Sequence, residues 1–71
     1  MNNFRDELIE ASMKYFEAQI AKHKVNIEVL MENGVGVAEH SDMMETIEKE
    51  LEIMAEYEDK LAVLKKHFVN N

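Results

Sequence analysis

The chain has 71 residues, with fifteen acidic and eight basic side chains, a net charge of −7, no cysteine and no proline. That length allows one small domain, whose single core rarely contributes more than about 3–5 kcal/mol. The charge repels nucleic-acid phosphates and anionic membranes, the missing cysteines exclude disulfides and thiolate metal sites, and no apolar run is long enough to span a bilayer.

The N-terminus, Met1-Asn2-Asn3-Phe4-Arg5-Asp6-Glu7, carries charges where a signal peptide needs an apolar stretch, so a cytoplasmic location is expected. Asn3 is placed to cap a helix, with Asp6 and Glu7 near the positive end of the helix dipole. The first helix is predicted over about residues 4–32, roughly 40 Å long. Ile9, Met13, Phe16, Ile20, His23, Ile27 and Leu30 follow each other at alternating spacings of four and three, an a/d heptad seam with one polar member. Leu8, Tyr15 and Met31 widen the stripe. Ser12, Gln19 and Asn26 flank it at sevenfold spacing, small or neutral enough to admit a further helix.

Residues 33–41 form the only break in the pattern, and both glycines lie there. Gly34 suits the left-handed position just past a helix, with Leu30 and Val35 making the apolar contact of a Schellman ending, and Gly36 frees the next turn. Ser41 or Asp42 then opens a second helix over about residues 42–69, and Asp42 with Glu45 resembles a capping box. Met44, Ile47, Leu51, Met54, Leu61, Leu64 and Phe68 form its stripe, with Tyr57 on one edge. Glu45–Lys49 and Glu56–Lys60 are favourable i,i+4 pairs. Lys65, Lys66 and His67 suit the negative end of the dipole.

Folding the chain about the break, so that paired residue numbers add to 74, sets Ile27 on Ile47, Ile20 on Met54, Met13 on Leu61 and Leu30 on Met44. Lys22 and Lys24 then face Glu52 and Glu50. Ile9 falls opposite Lys65, so the open end is expected to splay or shift. The predicted fold is all-α, a two-helix antiparallel hairpin. Its stripes are too broad for one hairpin to cover; Tyr15, Leu51, Tyr57, Leu64 or their neighbours would remain in water. A homodimer forming an antiparallel four-helix bundle removes that deficit.

The string Val35-Gly36-Val37-Ala38-Glu39-His40-Ser41-Asp42, followed by Ile47-Glu48 and by Ala55-Glu56-Tyr57-Glu58-Asp59-Lys60-Leu61, carries a resemblance. It resembles a family of small, largely uncharacterised proteins of T4-like tailed phages, in which a V-G-x-x-E-H-x-D connector joins two helices. The resemblance covers a little over half the chain. It implies a virus-encoded accessory protein in an infected bacterium, and it brings no catalytic residues.

Candidate chemistry is sparse. His23 is either a buried register-setter or pH switch reaching Tyr57 or Glu58, or a residue turned outward between Lys22 and Lys24; the rarity of buried unpaired polar groups favours the outward reading. Glu39, His40, Asp42 and Glu45 include metal-ligating types, but no Glu-x-x-His motif of the di-iron bundles is present, so cap and dipole roles are the simpler reading. Ser12, Ser41 and Thr46 lack a suitably spaced histidine, and Gly34-Val35-Gly36 lacks the Lys-Ser/Thr of a phosphate loop. Neither a catalytic residue nor a cofactor is expected. From Asp42 to Asp59 there are eight carboxylates and one lysine. This is a solubilising face or, as the rival reading, an acidic imitation of DNA that engages a host protein. Met31 and Met43 offer an adaptable contact patch, although gap-filling in a bundle is the simpler role. The expected function is a non-enzymatic interaction or structural module whose partners are itself and a host or phage protein.

Overall fold

In the computed structural model, residues 3–33 and 40–69 are described, the last range with backbone only at His40 and Ser41. The Gly34 and Gly36 turn, the Leu30–Val35 ending, and Glu39 lie wholly or partly outside the described residues. The first helix, α1, runs Phe4–Asn33, and the second, α2, runs His40–Leu64 before a π-helical segment at Lys65–Val69. There is no strand among the described residues.

Asn3 caps α1: its Oδ1 accepts the backbone N–H of Asp6 at 2.9 Å, and its carbonyl accepts that of Glu7 at 3.1 Å. One otherwise orphaned amide at the positive helix end is thereby satisfied. At the other end the Asn33 side-chain amide donates to the Val29 carbonyl at 2.9 Å, which supplies a partner near the end of the helical ladder. α2 begins two residues before the expected start, so Ser41 and Asp42 both lie within it. The Thr46 hydroxyl donates back to the Asp42 carbonyl at 2.9 Å, which ties the first turn of α2 to the second.

The two helices pack antiparallel along their length, in a rod of 56 × 17 × 13 Å. Phe16 meets Tyr57, His23 meets Glu50, and Arg5 meets Phe68, each one residue away from a number sum of 74. That small slip changes the open end. Ile9 shares a groove with Leu64 and Phe68 rather than facing Lys65, and the Arg5 guanidinium donates to the Phe68 carbonyl at 3.2 Å. In the π-helical segment the i→i+5 bonding widens the turn and displaces residues after Leu64 from the α-helical register.

Burial follows the heptads, but the core is thin. Only Ile27 and His23 are buried among the described residues, at 7% and 8% exposure. Ile9, Met13, Phe16, Ile20 and Leu30 on α1 are half-buried, as are Ile47, Met54, Tyr57, Leu61 and Leu64 on α2. Leu51 and Phe68 are exposed. On α2 the half-buried line is Met43, Ile47, Glu50, Met54, Tyr57, Leu61 and Leu64, an unbroken alternation of four and three. Met44 and Leu51, placed on the stripe by their apolarity, sit beside this line instead. Each neighbours Ile47 as closely as Met43 and Glu50 do, but from the other flank of the helix.

Candidate functional site: a polar layer in the helix interface

The half-buried line of α2 admits one charged residue, Glu50, and the seam of α1 admits one polar residue, His23. Both occupy the same layer. The His23 Nδ1–H donates to Glu50 Oε2, and the Asn26 side-chain amide donates to Glu50 Oε1 at 3.3 Å. The His23 and Glu50 side chains are 10% and 19% exposed. Both carboxylate oxygens therefore have partners, and no buried side-chain nitrogen or oxygen is left unpaired among the described residues. A polar layer so placed is tolerated because its hydrogen bonds replace those lost to water.

The outward reading of His23 is thus overturned: the ring is buried, and its partner is Glu50 rather than Tyr57 or Glu58. The physical reason is pairing. An imidazole alone at the seam would be left without a hydrogen-bond partner, whereas one facing a carboxylate keeps one. The expected approach of Lys24 to Glu50 gives way to the same contact. The hydrogen bond from His23 holds the Glu50 carboxyl below its ordinary pKa of 4.5. Burial pushes the other way, and the Asn26 amide with the positive charges of His23 and Lys22 adds to the lowering.

A second cluster lies two turns from this layer. Tyr57 packs edge-on to Tyr15 at 6.0 Å between ring centroids and tilted against Phe16 at 6.1 Å. The Lys60 ammonium, paired with Glu56 at 3.2 Å, stands 4.9 Å from the Tyr57 ring centroid. The neighbouring Tyr15 hydroxyl, burial and Glu56 raise the Tyr57 phenol above its ordinary pKa of 10.0.

The remaining sequence candidates do not converge. Glu39 and the His40 and Ser41 side chains lie outside the described residues. Asp42 and Glu45 are exposed on the first turns of α2, and no group of three metal-ligating side chains occurs among the described residues. Of the eight carboxylates from Asp42 to Asp59, Glu50 turns inward and Glu56 pairs with Lys60; the other six are exposed. No described helix is long and apolar enough to cross a membrane. Sequence reasoning missed Glu50 and Asn26. The available signal was the 47–50–54–57 spacing, which runs through Glu50 without interruption.

No family model, curated protein or solved structure matches this chain. A histidine and a carboxylate at a helix interface, satisfied by each other and by an amide, can fix the alignment of the two helices. They have no cleft around them in which to hold a substrate: the hollow at this layer, lined by Asn26, Val29, Leu30, Thr46 and Glu50, is an open surface groove.

Proposed function

We propose that this chain is a non-enzymatic, phage-encoded accessory protein that acts as a helical interaction module and assembles as a homodimeric four-helix bundle. One observation carries the reading: the hairpin leaves much of its apolar surface uncovered. Along one side of α1, Leu8 and Tyr15 are each 52% exposed and Val29 50%, while only one apolar residue is buried among the described residues. Scattered apolar residues on a surface need no explanation, but a row of them along one side of a thin hairpin marks an association surface. The phage assignment rests on the resemblance of the connector and second helix; the non-enzymatic reading is supported by the open form of the grooves among the described residues.

Light scattering on the purified protein over a range of micromolar concentrations tests the reading. A mass twice the 8.3 kDa of the chain is expected. A folded species with the mass of one chain at these concentrations overturns it.

A further inference from the structure

The two long sides of α1 differ in charge. One side carries Glu7, Glu10, Lys14, Glu17, Lys24 and Glu28. The other has Ser12, Gln19 and Asn26 beside the seam and Leu8, Tyr15 and Val29 beyond them, with Lys22 its one interior charge. Leu8 lines an apolar groove at the open end with Phe4, Leu64 and Phe68, and Val29 lines a second groove near the connector with Asn26 and Thr46. Both grooves therefore open on this weakly charged side, one at each end of the rod.

The area points to one occupant. The chain exposes 5646 Å². A compact monomer of this mass exposes about 4,600 Å². The excess, roughly 1,000 Å², is close to the ~800 Å² that each partner contributes to a standard stable interface. A second hairpin of equal length supplies a footprint of that size.

We infer that the second copy lies on this side with α1 antiparallel to α1, about a twofold axis at the height of Gln19. This rests on the homodimer proposed above and adds its face and direction. The arrangement is self-complementary along α1. It sets Ser12 on Asn26 of the second copy, with Gln19 meeting itself at the axis, and brings Leu8 within one residue of Val29 and Tyr15 within one residue of Lys22. On α2 the hairpin register places Met54 at the height of Gln19 and Ile53, half-buried on the same side, one residue away, so the axis also brings Ile53 close to its own copy. On α1 apolar positions meet apolar positions, lysine lies near a tyrosine ring, and no like charges are forced together.

The chain has no cysteine, so cross-linking reads the geometry directly. Gln19→Cys and Ile53→Cys, prepared separately and oxidised in air, should each form a disulfide-linked dimer at least tenfold faster than Glu17→Cys on the charged side. Leu8→Cys alone should not cross-link to itself, because its symmetry mate lies at the far end of the rod. Rapid cross-linking of Glu17→Cys, or self-linking of Leu8→Cys, overturns this face or this direction while leaving the homodimer intact. A monomer by light scattering ends both.

Discussion

His23 and Glu50 face each other in one layer of the helix interface, each at a position where the heptad spacing calls for an apolar side chain. The contact joins residues 27 apart in sequence, and Asn26 completes it from the next turn of α1. It is the most specific contact between the two helices, because an apolar layer tolerates sliding and a hydrogen-bonded one does not.

Replacing one member of this layer differs from replacing both. His23→Leu leaves the Glu50 carboxylate against an apolar neighbour and should lower the melting temperature clearly. The double variant His23→Leu with Glu50→Leu should recover the loss or exceed the parent, since a well-packed apolar pair often outlasts a buried ionic one. Thermal unfolding by circular dichroism checks both. A double variant less stable than either single one would count against the pairing.

Acid should weaken the hairpin through Glu50. Its pKa is lower in the folded chain than the ordinary 4.5, so the folded state favours the ionised form. That contribution is complete above about pH 4.5 and is lost as pH falls through the depressed folded value. Melting temperatures from pH 7 to pH 3 should therefore fall more steeply for the parent than for Glu50→Gln. Parallel curves would show that the layer is not felt by the fold.

Alkali should act through Tyr57. Its pKa is raised in the folded chain, so the neutral phenol is favoured there. The corresponding stability is present below pH 10 and declines as pH rises through the elevated folded value. Ultraviolet titration of the two tyrosines should show one of them ionising later than a free phenol, and Tyr57→Phe should remove that late step.

Among the described residues Ile27 is the one buried apolar side chain, and its truncation should be costly. Ile27→Ala is expected to cost about 2 kcal/mol, the lower end for such changes because its surroundings are only half closed. Urea unfolding measures it. A loss below about 0.5 kcal/mol, the level of ordinary surface changes, would mean that this layer is not packed in solution.

Removing the cap of α1 should cost less. Asn3→Ala deletes the acceptor of the Asp6 amide, worth about 1 kcal/mol. The same unfolding experiment reads it, and Asn3→Asp should retain most of the stability, because aspartate caps equally well.

By itself the sequence determined the two helices, the first cap and the seam of α1. These depend on local geometry: a side chain three residues before an amide, and apolar positions recurring with the helical turn. On α2 the local pattern was ambiguous. Leu51 and Glu50 both neighbour Ile47 and Met54, and apolarity favoured Leu51. Tertiary structure decided for Glu50, because His23 stands across the interface and a carboxylate can satisfy it where a leucine cannot. The same one-residue slip moved Ile9 away from Lys65 and set Arg5 on the Phe68 carbonyl. Periodicity along one helix ranks the sides of that helix; which side is covered depends on what the other helix brings to meet it.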